Sequence, residues 1–324
     1  MVEVGYTLSS EDHGPRDLVR FAGLAEEHGF TRAWISDHFH PWVDAQGHSP
    51  FVWAVLGGVA ATTGLEVGTG VTCPTVRIHP AVVAQAVATT SLLFDGRFWF
   101  GVGSGEALNE HILGGRWPEA EVRLEMLEEA VQVMRRLWTG EVVSHHGRHY
   151  TVENARLYDA PERRVPVYVS AFGPKAMELA GRIGDGYVGT SPDAELVRRF
   201  ARQAPGKPKV AGAKCCWHAD EAEARRLAHR LWPNMGLPGE LAQELPTPQH
   251  FMQAARLVTE EMVAGPIPTG PDPRPYVDLV RAYADAGYDV VYLHNIGEDQ
   301  EGFLRFWTGE VRPLLAEEGL TRAA

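Results

Sequence analysis

From Ser36 to Trp42 the chain reads Ser-Asp-His-Phe-His-Pro-Trp, which gathers an acid, two imidazoles and an indole in one short run. Imidazole, with an ordinary pKa of about 6.5, is the side chain best suited to moving a proton near neutral pH. Asp37 is placed to fix the His38 ring and Trp42 to wall off water, so His38 is expected to act as an acid or base. The plainer alternative is a solvated loop histidine. His38 and His40 alternate with no third ligand specified nearby, so no metal is expected. A second run, Gly101-Val102-Gly103-Ser104-Gly105-Glu106, looks at first like a dinucleotide fingerprint. It fails that test, because Glu106 stands where the third glycine should be. Glycines there let a planar ring approach the backbone, with the Glu106 acid aimed into the same space; a tight turn with an exposed glutamate is the alternative. Phe172-Gly173-Pro174-Lys175 combines a helix start with one lysine, a weak phosphate signal. The His145-His146-Gly147-Arg148-His149 cluster reads as a solvated hairpin.

These residues need a scaffold that brings separate loops together. Short apolar runs fall near Val2–Leu8, Thr31–Ser36, Leu65–Val71, Arg97–Val102, Val165–Ala171, Gly186–Gly189, Lys207–Trp217 and Asp289–His294. Several are apolar throughout, as buried parallel strands should be. Helical patterns lie between them. Pro15–His28 opens on proline and stops at Gly29, and Pro118–Trp138 carries Leu124, Leu127, Val131, Met134 and Trp138 on one face. Pro80–Phe94, Pro174–Ile183, Glu221–Trp232, Pro273–Ala286 and Glu301–Leu315 read similarly. Eight strands alternating with helices predict a (β/α)8 TIM barrel, with an open doubly wound sheet as the competitor. One domain spanning 1–324 is expected, with a β excursion near 140–164 and a Pro/Gly-rich insertion near 233–273 shaping substrate access. In such a barrel the strand ends carry the chemistry, which places Glu11, His38, Cys73, Glu106 and Ala171 on one rim.

Composition narrows the class. The 324 residues are 44% hydrophobic and 22% charged, ordinary for a globular protein. Thirty Lys and Arg against 42 Asp and Glu leave a formal charge of −12, which argues against nucleic acid or an anionic membrane as partner. No run approaches 18 apolar residues and no signal peptide is evident. Three cysteines without metal-ligand spacing suit a reducing, cytoplasmic setting.

Taken together, several segments resemble the luciferase-like family of flavin and deazaflavin enzymes, in particular its branch that uses coenzyme F420. They are Gly5-Tyr6 with Glu11, Ser36-Asp37-His38-Phe39 with Pro41-Trp42, and Gly101 through Glu110; Val165-Pro166-Val167-Tyr168 with Gly173-Pro174, and Ala180-Gly181-Arg182 with Gly184-Asp185-Gly186, complete them. The resemblance covers nearly the whole chain. It implies a homodimeric barrel holding a deazaflavin, with His38 as acid or base, Trp42 beside the substrate, Glu106 at the cofactor ring and Glu11 near the reacting hydroxyl. It also implies that Asp37, the Gly70–Val71 bond (a cis peptide in this family), Cys73, the Gly103-Ser104-Gly105 backbone and Asn109 support the cofactor. Phe172, Gly173 and Lys175 would lie toward its phosphate-bearing tail, with Ala171, Pro174 and Thr190 also in its site. The implied reaction moves a hydride between F420 and an alcohol, sugar or carbonyl compound. Sugar-phosphate enzymes of this branch grip phosphate with two lysines and an arginine. Here those loops read Thr190-Ser191-Pro192-Asp193, Leu241-Ala242-Gln243 and Ala264-Gly265-Pro266-Ile267-Pro268, so an unphosphorylated substrate is expected. The competing readings are an FMN-dependent monooxygenase, an F420-dependent sugar-6-phosphate dehydrogenase and a non-catalytic cofactor-binding protein.

Overall fold

Alternation along eight short strands builds a closed barrel in the computed structural model, which describes residues 1–321. The strands are β1 (Glu3–Leu8), β2 (Arg32–Ile35), β3 (Glu66–Thr69), β4 (Phe98–Val102), a hairpin of β5 (Val143–His146) and β6 (Thr151–Ala155), then β7 (Val167–Ser170), β8 (Gly186–Gly189), β9 (Lys209–Cys215) and β10 (Val290–Asn295). All barrel neighbours pair in parallel, and β10 closes the ring on β1 with Gly5 opposite Tyr292. Eight strands therefore form the (β/α)8 barrel expected from the sequence.

Successive side chains on a strand face opposite ways. Ala33, Ile35, Val67, Phe98 and Phe100 face outward, into the main core shared with the helices. Trp34, Trp99, Val210 and Tyr292 face the lumen and fill it. Trp34 stacks on Tyr292 with ring centroids 4.7 Å apart, and Trp99 on Tyr168 at 4.8 Å. Room for these rings comes from glycine on the facing strands: a Cβ at Gly68 would collide with Trp99, and one at Gly212 with Trp34. The lumen is thus an aromatic plug, with Arg32 paired to Glu3 and Glu66 below it. The same alternation carries Ser36, Lys214 and His294 into the lumen above the plug, at the C-terminal mouth.

Two helices escape the sequence pattern. Val52–Thr62 (VWAVLGGVAAT) is apolar nearly all round and so shows no single stripe. Ala194–Gln203 buries only Val197 and Phe200. The helix expected over Glu301–Leu315 is divided into Gln300–Phe306, a π turn over Trp307–Val311, and Arg312–Glu317. Pro313 lacks an N–H and crowds the preceding turn, which a π turn accommodates.

Both interruptions of the barrel are built. The β5–β6 hairpin is docked rather than free in solvent: His145 Nε2 meets Glu129 at 3.0 Å, and His145 is only 16% exposed. Tyr150 from the hairpin donates to the Thr75 carbonyl at 2.8 Å, bracing the loop after β3. The later insertion folds into short helices at Leu241–Glu244, Pro248–Ala255 and Glu260–Ala264. Its Phe251 joins Val43 and Leu108 in a small core against Trp42, covering the mouth.

Candidate active site

Glu11 follows β1 and His38 follows β2, and the parallel pairing of these strands brings the two together. His38 Nε2 lies 3.5 Å from Glu11 Oε1, with both side chains buried. His38 Nδ1 is 3.2 Å from the His40 carbonyl, so both ring nitrogens face acceptors, and Nε2 is the one placed to pass a proton beside the Glu11 carboxylate. Glu11 is itself oriented, since Ser36 Oγ donates to Oε2 at 2.6 Å and Ser9 Oγ at 3.1 Å. Trp42 stands edge-on to His38 with centroids 5.0 Å apart, and Phe251 closes behind Trp42 at 5.2 Å. A proton acceptor backed by a carboxylate and walled from water can take a hydroxyl proton.

The expected role of Asp37 as the orienter of His38 is overturned. Its Oδ2 accepts from Thr72 Oγ1 and its Oδ1 from Arg77 Nη2, both at 2.8 Å. Arg77 also reaches Glu110, whose Oε2 accepts from the Arg77 backbone N–H at 2.6 Å. Asp37, Arg77 and Glu110 form a buried ion triad beneath the loop after β3. Burial pushes the Glu110 carboxyl up to about 7 despite the opposing Arg77 charge.

Beside that triad, Gly70–Val71 is a cis peptide, matching the expectation from the resemblance. Gly105 has φ +81, and a Cβ there would lie 2.5 Å from Cys73 Sγ, so both conformation and packing demand glycine. At Gly103 a Cβ would lie 2.9 Å from Val71. Ser104 and Glu106 are half-buried on the same ledge, and no hydrogen bond or ion pair engages the Glu106 carboxylate among the described residues. Burial, with the Glu110 and Glu106 charges, pushes the Cys73 thiol well up, which keeps it a neutral thiol. Asn109 does double duty: its Oδ1 accepts from the Phe39 and His40 N–H groups, and its buried Nδ2 has no partner among the described residues.

The remaining sequence-predicted residues follow β7 and β8, next along the ring from β4. Gly173 caps the helix Pro174–Ile183 and leaves open space beside it. Ala171 is buried, while Phe172 and Thr190 are exposed. Lys175 is exposed and paired with Glu121. Asp193 caps the helix Ala194–Gln203, its Oδ1 accepting from the Glu195 and Leu196 N–H groups, so its charge is spent on that helix start.

A second polar group at the mouth is not anticipated by the sequence pattern. Asp12 accepts from His294 Nε2 at 2.9 Å and from Trp232 Nε1 at 3.0 Å, and Lys214 Nζ sits 4.6 Å above the Trp232 ring. Burial would raise the Asp12 carboxyl, but His294, His13 and Trp232 outweigh it and hold it low. Extending the alternation of β9 from Val210 and Gly212 to Lys214 would have found the lysine. Asp12 and Trp232 come from loops that meet only in the folded chain.

Next to Asp12, burial pushes His13 down to about 4. Between that value and an unfolded value of about 6.5, the unfolded chain holds a proton that the folded chain refuses. Stability therefore falls as pH drops from 6.5 toward 4, by about 2–3 kcal/mol at pH 4.5 from this residue. Urea unfolding at pH 7 and pH 4.5 should show His13→Leu losing less on acidification than the parent. An equal loss would remove His13 as the cause.

The matches to known proteins agree with this geometry. The luciferase-like monooxygenase family model matches residues 2–290. An F420-dependent glucose-6-phosphate dehydrogenase of Microbacterium testaceum is 38% identical, covering 96% of each chain. The enzyme of the same name from Amycolatopsis mediterranei is 38% identical over 98% of this chain and 100% of its own. Among solved structures, an F420-dependent secondary alcohol dehydrogenase in complex with an F420–acetone adduct superposes with a TM-score of 0.88 at 30% identity, covering 96% of this chain and 98% of its own. With the family model spanning most of its length and the barrel mouth arranged as described, the chain belongs to the luciferase-like monooxygenase family.

Proposed function

We propose that this chain is an F420-dependent oxidoreductase acting on CH–OH groups, and that its substrate is an unphosphorylated alcohol, sugar or carbonyl compound. The observation that carries the reading is the buried pair of His38 and Glu11, an imidazole Nε2 and a carboxylate 3.5 Å apart at the barrel mouth. The dehydrogenases similar to this chain support F420 as the cofactor. The residues present fit a planar ring: a backbone ledge at Gly70, Gly103 and Gly105 packed close on Trp34, Val71 and Cys73, and a Glu106 carboxylate and an Asn109 Nδ2 that have no partner among the described residues. Asp37, Val71, Cys73 and Ser104 complete that ledge, with Ala171, Phe172, Gly173, Pro174, Lys175 and Thr190 toward the cofactor's tail. Bound F420 supplies a two-electron hydride acceptor. For its part the chain orients the carbinol against Trp42, takes the hydroxyl proton at His38 Nε2 and steadies it with Glu11. Glu106 holds or lends a proton at the cofactor ring.

Against a phosphorylated substrate stand the missing lysines and the helix start already occupied by Asp193. Fluorescence titration with F420 and FMN side by side tests the cofactor, and tight FMN binding without F420 affinity would sink the reading. Glu106→Gln is expected to cut turnover at least about 100-fold while F420 affinity stays within a few-fold. Equal losses in both would make Glu106 a holder of the ring only.

The same reading includes one domain, a cytoplasmic homodimer, and neither nucleic acid nor membrane as partner. In support, the formal charge is −12, three cysteines are buried and unbridged, and no described helix is long and apolar enough to cross a membrane. Exposed Phe51 and Val82 beside the apolar helix Val52–Thr62 suit a subunit contact, which light scattering would test.

A further inference from the structure

We propose that Lys214 selects the substrate: it binds a second, neutral hydroxyl adjacent to the reacting carbinol, so the preferred substrates are vicinal diols and unphosphorylated sugars. This rests on the function proposed above and deepens it.

Lys214 is two residues beyond Gly212, whose Cβ position meets Trp34 in the lumen, and alternation therefore turns Lys214 into the mouth above the aromatic plug. It pairs in register with His294, the residue that holds Asp12. No hydrogen bond or ion pair engages its ammonium among the described residues; its near contact is the Trp232 face at 4.6 Å. Lys214 is half-buried at the mouth, so its ammonium keeps three free donors that a substrate oxygen can accept from. Burial pushes Lys214 down, against the upward pull of the Glu11 and Asp12 charges, which places both carboxylates within electrostatic reach. Ser36, which holds the Glu11 carboxylate, turns by the same alternation into the mouth that Lys214 enters, so the ammonium and the His38–Glu11 pair face one barrel mouth.

Local charge decides what kind of oxygen fits. Asp12 is occupied by His294 and Trp232, and Glu11 by Ser9 and Ser36, while both negative charges act on one lysine. Two carboxylates against one ammonium disfavour an added anion. A neutral hydroxyl accepts from Lys214 and can donate toward Glu11, which uses both charges. A hydrogen bond to a charged group contributes about 1.5–3 kcal/mol, or roughly 10- to 150-fold in kcat/KM.

The test compares 2,3-butanediol, 2-butanol and lactate as reductants of F420, with wild type, Lys214→Met and Lys214→Gln. Wild type is expected to favour the diol over 2-butanol by at least about 10-fold. Both variants are expected to erase that preference, with kcat/KM for 2-butanol and F420 affinity changed less than about 3-fold. Parallel losses on diol and mono-alcohol, no loss in a folded variant, no diol preference in wild type, or a preference for lactate would each overturn the proposal. Wild type that binds F420 and oxidises neither neutral alcohol also overturns it. Wild type that does not bind F420 overturns the underlying function instead.

Discussion

Replacing His38 by alanine is expected to lower turnover by about 10²- to 10⁴-fold while F420 binding changes little. The reason lies in what touches His38 and what does not. Its Nε2 faces Glu11 and its Nδ1 the His40 carbonyl, whereas the glycine ledge and Glu106 that suit the cofactor ring come from β3 and β4 and the loops after them. Losing the imidazole thus removes the proton acceptor and leaves the cradle standing. Glu11→Gln should cost less, because a neutral amide still fills the space but no longer balances a proton on Nε2. If Glu11 acts through His38, the double variant His38→Ala/Glu11→Gln will be scarcely slower than His38→Ala alone. Single-turnover reduction of F420 by an alcohol, with affinity measured separately by fluorescence, decides it. Independent, multiplying losses would give Glu11 a direct contact with substrate, and a matching loss of F420 affinity would make His38 a structural residue.

Arg77→Met is expected to destabilise the protein by about 3–5 kcal/mol at pH 7. The guanidinium is 7% exposed and lies between Asp37 and Glu110, at 1% and 0%. Methionine fills much of the volume but leaves two carboxylates buried without a counter-charge. Glu110 can relieve part of the cost by taking a proton, since burial has already pushed it up to about 7. Asp37 retains only Thr72 and remains the main source of the loss. In the variant the Glu110 carboxyl loses the Arg77 charge that opposes its burial and rises further above its unfolded value, so the deficit should shrink as pH falls from 7 to 5. Chemical unfolding at these two pH values reads the effect directly. A deficit below about 1 kcal/mol, or one that grows toward acid, would show that the triad does not hold the loop. Because Thr72 anchors to Asp37 and Cys73 packs on Gly105, F420 affinity should weaken along with stability.

Much of this architecture was legible in the chain. Strand alternation sorts Trp34, Trp99 and Tyr292 from Ala33, Phe98 and Val291 without reference to any structure, and the ends of those strands point to Glu11, His38 and Glu106. The two unanticipated helices were hidden for a physical reason: Val52–Thr62 is apolar on nearly every side and Ala194–Gln203 on very little. His146 is exposed as expected, whereas His145 and His149 looked solvent-bound because their carboxylate partners, Glu129 and Glu125, lie on a helix that ends before the hairpin begins.

By itself the sequence determined the alternation of eight strands with helices, the strand ends on which the chemistry sits and the residue types there, because periodicity and strand-end position are local properties. Tertiary structure alone decided who partners whom. Asp37 adjoins His38 in the chain, yet in the loop after β2 their side chains part and Asp37 goes to Thr72 and Arg77. His38 instead meets Glu11 across two parallel strands, and Trp232 meets Lys214 on one side and Asp12, from a loop far away in the chain, on the other. Pairings of that kind depend on strand register and ring closure, which no short stretch of sequence encodes.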